Sequence, residues 1–290
     1  MTKKELPVYN IEDFKHFNSE NEFYSNVLPD HLKNHHFIHT PHKHDFFLVV
    51  LFTHGSGTHE IDFINYKVVP GAIFLLRPGQ THNWKLSKDI DGYVFFHSKQ
   101  FYDSRSISQN IQDYPFFSSI HNPPLINIKD NSRQKFEALF SEIKKEFEAD
   151  NLLKAQKLHT LVTLAYIDLT RLYPPAKQIG SQLYLSKLKE LENLIDLNYK
   201  ALKYPNQYAE LMAISEKHLN RICKSCLNKT TTDLITDKII LEAKRALTHS
   251  QLTINQISES LGYMDVSYFS RLFKKRSGET ASSFLKKNRH

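Results

Sequence analysis

The sequence predicts an α+β multidomain chain: a β-rich N-terminal half followed by a helical hairpin, then an all-α C-terminal part with two helix-turn-helix motifs. Three observations carry this. Between His35 and Phe101, aromatic and β-branched runs alternate with short turn-forming stretches, the texture of a sandwich or small barrel. From Ser132 the apolar spacing changes to 3.6 residues, which argues for amphipathic helices. Beyond residue 180 one helical pattern occurs twice, at an offset of about 50 residues, the mark of a duplicated unit.

Residues 1–30 read as an extended lead-in ending at Pro29. Strand-like runs follow at 46–52, 59–65, 66–69, 72–77 and 92–98, bounded by HGSG, NYK, PG and SKDIDG. Among the ring-bearing residues of this half, Phe47, His82, Trp84, Phe95 and His97 are candidates for lining a small-molecule pocket, because strand parity can aim some of them inward. The competing reading is ordinary aromatic core. His42 and His44 share a face by the same parity and, with His82, form a candidate three-histidine metal set. Against it, 13 of the 16 histidines fall in residues 1–180, so clustering by chance is easy, and the expectation is no metal and no cofactor. No nucleophile elbow, phosphate-binding Gly-rich loop or convincing acid pair suggests catalysis.

In the helical stretch, Phe136, Leu139, Phe140, Ile143 and Phe147 mark one face of a first helix, which Asp150-Asn151 ends. A second, about 152–172, is apolar on more than one side, with Leu158, Leu161, Val162, Leu164, Ala165, Ile167, Leu169 and Leu172. Such a helix needs a second partner. Burial within the chain would serve, but a homodimer interface is the preferred expectation. Residues 173–181, containing Pro174-Pro175 and Gly180, read as an interdomain linker.

The C-terminal repeat is the strongest signal. In DVSYFSRLFKKRSG, Asp265 is placed to cap a helix and Gly278 to end it in a left-handed conformation. Tyr268/Phe269, Leu272 and Phe273 form the apolar stripe; Ser267, Ser270, Arg271, Lys274 and Lys275 form a polar, basic face. A short helix and a turn at Gly262 precede it. Fifty residues earlier, Leu219, Arg221, Ile222, Cys223, Lys224 and Asn228 align with Phe269, Arg271, Leu272, Phe273, Lys274 and Gly278. Upstream of the turn the offset becomes 49, so the second copy has one extra turn residue. Between the copies lies a predicted helix of about 18 residues, roughly 27 Å long, suited to holding two readers about one DNA turn apart. The outward positions Lys217, His218, Asn220, Arg221 and Lys224 on the first helix, and Val266, Ser267, Ser270, Arg271 and Lys274 on the second, are the candidate DNA contacts. Arg can read guanine and Asn adenine, while Lys meets phosphate. The richer donor set of the first helix predicts sharper base discrimination there. The alternative for Arg221 and Arg271 is a bridge to a neighbouring carboxylate.

Charge agrees. The chain's formal net charge is +7; residues 181–290 hold 18 basic and 11 acidic side chains, whereas residues 1–180 hold 20 of each. A basic excess confined to the repeat is the footprint of a phosphate-binding module. Cys223 and Cys226, three apart in one predicted helix, suit neither a disulfide nor a zinc site. No apolar run is long enough to span a membrane and no signal-peptide core opens the chain, so it reads as cytoplasmic.

SEKHLNRICK and the run ILEAKRALTHSQLTINQISESLGYMDVSYFSRLFKKRSGETASSFL resemble the DNA-binding domain of AraC/XylS-family bacterial transcription regulators over about 100 residues. Ala213 for the usual turn Gly, and Asn228 for the stop Gly, depart from that pattern. PHKHDFFLVVLFTHGSGTHEIDF and VVPGAIFLLRPGQTHNW resemble the cupin-like sensory domain of the same family, though Leu48 and Val49 stand where metal-binding cupins carry a Glu. The resemblance implies a cupin-like effector-sensing domain at 1–130, a helical hairpin and dimer interface at 131–173, a linker at 174–182 and the double helix-turn-helix domain at 183–290. Expected partners are double-stranded DNA, a small-molecule effector, a second copy of the chain and RNA polymerase, without a membrane. The rival readings are a metal-dependent cupin enzyme with a DNA-binding appendage, and a constitutive regulator with a structural barrel.

Overall fold

A computed structural model describes residues 6–14, 22–106, 109–173 and 182–288. The chain divides into two compact units, Pro7–Pro174 and Pro175–His290. Of the expected linker, only Gln182 lies within the described residues, as the first residue of a helix.

In the first unit β1 (Val8–Tyr9) is followed by β2 (Phe23–Val27), α1 (Leu28–Asn34), β3 (Lys43–His44), β4 (Phe47–His54), β5 (Gly57–Ile61), β6 (Ile64–Val68), β7 (Ala72–Leu76), β8 (His82–Leu86) and β9 (Asp91–His97). Then come α2 (Lys99–Asp103), α3 (Pro115–Ser118), β10 (Leu125–Asn127), α4 (Asp130–Glu148) and α5 (Lys154–Leu172). An antiparallel sheet runs β10-β7-β4-β9-β2, a second runs β6-β5-β8, and β1 pairs with β3 in parallel. Residues 1–30 are therefore not a simple lead-in: β2 is an edge strand, and Pro29 sits inside α1, whose first turn tolerates it. The β5–β6 hairpin turns at Asp62-Phe63, both at positive φ, three residues earlier than the composition suggested. Two left-handed residues in a two-residue loop match the twist of the strands they join.

The central strand β4 is buried on both faces, so its sequence is a continuous apolar run without alternation. Parity still decides what each side chain meets. Leu48, Val50 and Phe52 join Phe74, Phe96, Ile61 and Trp84 in the core between the two sheets. Phe47, Val49 and Leu51 face the other way and pack with Phe95, Phe140, Leu158, Val162 and Tyr166 of the α4–α5 hairpin. On α5, Leu158, Val162, Ala165 and Leu169 are buried, whereas Leu164, Ile167 and Leu172 are exposed in this chain.

The second unit is α6 (Gln182–Asn198), α7 (Pro205–Leu211), α8 (Glu216–Leu227), α9 (Thr231–His249), α10 (Ile254–Ser260), α11 (Val266–Ser277) and α12 (Ala281–Asn288). The repeat is geometric as well as sequential. Helices α8 and α11 have 12 residues each, and both end in a left-handed residue, Asn228 or Gly278. The turns match bond for bond: Ile214 N donates to Ala209 O at 3.0 Å, and Tyr263 N to Ser258 O at 2.9 Å. Ala213 and Gly262 hold the same left-handed position, with φ of 52° and 80°. The extra turn residue is Met264, which is exposed. Contrary to the stripe reading, Tyr268 is also exposed and stacks on Tyr263, leaving Phe269 and Phe273 as the fully buried anchors of α11.

The two turn residues differ for a steric reason. A Cβ built on Gly262 would stand 2.0 Å from Lys200 O, whereas Ala213 carries its Cβ at the same left-handed position. We expect Gly262→Ala to destabilise the helical unit by more than about 2 kcal/mol, adding a backbone clash to left-handed strain. Ala213→Gly removes strain of the same kind and should stabilise the unit by about 0.5 kcal/mol. Urea unfolding of the full-length variants checks both signs.

Candidate nucleic-acid interface and sensor interior

Each candidate reading helix begins at a defined cap. Ser215 Oγ accepts from His218 N at 3.2 Å, and Asp265 Oδ1 accepts from Ser267 N at 2.8 Å and Tyr268 N at 3.1 Å. The caps satisfy amides that would otherwise be orphaned and start the helices at equivalent residues. Burial of Leu219, Ile222 and Cys223 on α8, and of Phe269 and Phe273 on α11, then fixes which sides face outward. Lys217, Arg221 and Lys224 are exposed with His218 half-buried; on α11, Ser267, Arg271 and Lys274 are exposed with Val266 and Ser270 half-buried. Among the described residues, Lys217, Arg221, Lys224, Arg271 and Lys274 pair with no carboxylate. The bridge reading for Arg221 and Arg271 is thus not what the structure has; Arg221 instead lies 6.0 Å over the Tyr184 ring, and His218 packs on the same ring. Arg276, outside the candidate set, pairs with Asp233 at the start of α9 and ties the far end of α11 to it.

Asn220 has a role that sequence reasoning missed. Its Oδ1 accepts from Thr231 N, the first residue of α9, at 3.1 Å. A side chain so engaged joins α8 to the spacer and presents less of itself to a base than the outward assignment supposed. The contact spans eleven residues and has no local sequence signature. Around it, Lys217, Asn220, Glu216, Thr230, Thr232 and Pro205 line a shallow cavity of about 400 Å³.

In the β unit the five candidate pocket residues do not converge. Phe47, Phe95 and His97 lie on the hairpin side of the five-stranded sheet, where His97 Nε2 meets Tyr166 Oη at 2.7 Å. His82 and Trp84 lie on the opposite side, with ring centroids 5.2 Å apart. One-residue parity separates them: β9 carries Phe95 and Phe96 to opposite faces. Buried side chains of both sheets meet in the core between them. At its edge a cavity of about 390 Å³ is lined by Pro29, Leu32, Ile38, Trp84, Leu86 and Ile90, with Ser87 and Lys88.

His42, His44 and His82 are brought together, and buried. The His42 and His44 rings lie 4.4 and 5.1 Å from that of His82. His42 Nδ1 is 2.8 Å from Thr40 O, His44 Nδ1 is 2.8 Å from Phe46 O, and His82 Nδ1 is 3.1 Å from His59 Nε2. Among the described residues, no three His, Cys, Asp or Glu side chains converge as a metal would require. Leu48 and Val49, at the place of the missing carboxylate, are core residues. Burial first, then mutual repulsion, lowers the basicity of the group: His44 is pulled down to about 3, and His59 and His82 well below the ordinary value. Burial likewise draws His97 down to about 4.

Two expectations follow from this geometry. Asn220→Ala should lower stability by about 1 kcal/mol through loss of the Thr231 contact. Arg221→Ala and Arg271→Ala should stay within about 0.5 kcal/mol of the parent, a contrast that thermal unfolding reads directly. Histidines whose folded pKa is depressed contribute stability above the unfolded value of 6.5, which is lost as pH falls through the folded one. The β unit should therefore weaken steadily from pH 6.5 toward pH 4, measured by fluorescence of Trp84, the single tryptophan of the chain.

Comparison with known proteins agrees with the two-unit architecture. Residues 27–162 match the AraC-like ligand binding domain, and residues 208–287 match a helix-turn-helix domain. The chain is 20% identical over 243 residues to the transcriptional activator RhaR of Cronobacter sakazakii, covering 82% of this chain and 84% of that one. It is 24% identical over 233 residues to the lactose operon transcription activator of Staphylococcus xylosus, covering 80% and 81%. Among solved structures, ToxT from Vibrio cholerae aligns over 91% of this chain and 98% of its own, at 16% identity and a TM-score of 0.45. With an AraC-like ligand-binding domain followed by a duplicated helix-turn-helix unit, the chain belongs to the AraC/XylS family of DNA-binding transcription regulators.

Proposed function

We propose that this chain is a cytoplasmic, non-enzymatic transcription regulator that reads two successive blocks of DNA with α8 and α11, under control of a small molecule bound by the β unit. The observation that carries the reading is the pair of geometrically equivalent helices whose basic side chains, Arg221 with Lys224 and Arg271 with Lys274, are exposed and without a carboxylate partner among the described residues. Basic groups left unpaired on a helix face are available to phosphate and to guanine edges. Lys217, His218, Asn220, Val266, Ser267 and Ser270 complete the proposed contact set, with Asn220 divided between Thr231 and DNA.

The effector is proposed to enter the cavity beside Trp84, because its walls are mostly apolar and Lys88 at its edge offers a single charge. His82 and Trp84 stay in the proposed site; Phe47, Phe95 and His97 belong to the hairpin core and drop out of direct contact. The exposed Leu164, Ile167 and Leu172 on α5 support a homodimer through that helix, since large apolar side chains left exposed favour a partner. Named relatives are transcriptional activators, and activation with RNA polymerase as partner is the proposed output. Ligand would act by shifting the population competent to bind DNA.

Capture of genomic fragments by the purified full-length chain at two salt concentrations tests the reading. A common site with two blocks about one helical turn apart, surviving moderate salt, is the expected result. Fragments without shared sequence, lost as salt rises, would leave only a basic surface.

A further inference from the structure

One amine ties the loop ahead of the first helix-turn-helix to the turn of the second. Lys203 lies in the loop between α6 and α7, ahead of the first turn. Its Nζ donates to Lys200 O at 3.0 Å, to Tyr199 O, and to Leu261 O at 2.6 Å. It also sits 4.9 Å over the Tyr263 ring. Two of these carbonyls follow the last residue of α6 and the third follows the end of α10, so a single amine bridges two helix C-termini. Partial burial draws its pKa down to about 8, which leaves it mostly charged at neutral pH. Its three N–H bonds are all used, and the contact is charge-assisted.

The fit around this bond is close. The Lys200 carbonyl lies against Gly262 so tightly that a Cβ there would come within 2.0 Å of it. Tyr263, under the ammonium, stacks on Tyr268 in the first turn of α11 and touches Phe269. The chain from Lys203 to the start of α11 is therefore continuous: amine, Leu261 carbonyl, Tyr263 ring, reading helix. The corresponding turn residue of the first unit, Ala213, carries a Cβ at the same left-handed position, so this close backbone fit belongs to the second reader.

We propose that Lys203 is a positioning residue for DNA recognition, fixing the spacing at which α8 and α11 meet successive blocks of DNA. This rests on both helices reading DNA. Two linked readers gain affinity in proportion to how well their separation matches the site. Loosening one end of the frame lowers affinity for the matched site and, equally, lowers the penalty for a mismatched one. A lysine that only supported the fold would weaken every DNA alike.

The test uses full-length chain and duplexes built from the two-block site that the parent chain selects from random DNA. Parent, Lys203→Met and Lys203→Arg are titrated on the selected spacing, on spacings changed by one and two base pairs, and on duplexes with one block, with thermal unfolding recorded for each. Lys203→Met should bind the selected spacing about tenfold more weakly, the worth of one lost charged contact. It should lose most of the penalty for a one-base-pair change and bind single blocks as the parent does. Lys203→Arg, which keeps charge and donors, should retain most of the spacing penalty. Parent-like affinity and spacing penalty in Lys203→Met would overturn the proposal, as would an equal loss on single-block and two-block DNA. If the parent itself selects no two-block site, the DNA reading fails first, seen in the parent alone, and the proposal falls with it.

Discussion

Burial of α9 around most of its circumference is the constraint on which the DNA-binding unit depends. Leu234, Ile235, Thr236, Ile239, Ile240, Ala243, Arg245 and Leu247 are all buried, on more than one side of the helix. A helix that is apolar on several sides must be surrounded, and α9 touches α6, α7, α8, α10, α11 and α12. Its start is fixed by reciprocal Thr230 and Asp233 bonds, and by Asn220 of α8. Nineteen residues give it a length of roughly 28 Å. Both reading helices are thus referred to one rigid rod, and their caps decide which residues leave its surface.

The β unit solves a different problem with the same economy. Its central sheet has two covered faces, one toward the second sheet and one toward the α4–α5 hairpin. The hairpin is fastened by Lys157 to Glu142 and Glu146, and by Lys135 to the buried Asp168. Histidines placed inside this unit are held neutral, because burial disfavours their charged form and each neighbouring ring adds to the cost. Their hydrogen bonds to backbone carbonyls and to one another make them part of the framework.

The two helix-turn-helix copies diverged where their surroundings diverged. Ala213 and Gly262 occupy one backbone conformation, but only Gly262 faces a carbonyl at a distance no side chain tolerates. Asn228 and Gly278 also share a conformation, and Asn is among the few residues with side chains that adopt it readily. Ala213 holds the left-handed conformation with its Cβ in place, and Asn228 is a residue type that adopts it readily, so neither departure loses the turn.

Local chemistry in the sequence was enough to determine the repeat, its caps, its left-handed stops, the spacer helix and the outward basic faces. Each depends on residues within a few positions of one another, and helix periodicity exposes them. Strand parity was legible too, but not which face of a doubly buried sheet meets which neighbour. Phe95 and Phe96 look alike in the sequence, and only the placement of the hairpin and the second sheet tells them apart. The same holds for the early strand β2, which its partner β9 defines, and for Asn220, whose partner Thr231 is at hydrogen-bond distance in space but eleven residues along the chain. Tertiary structure alone decided these, because the energy of each resides in a partner that the local sequence does not contain.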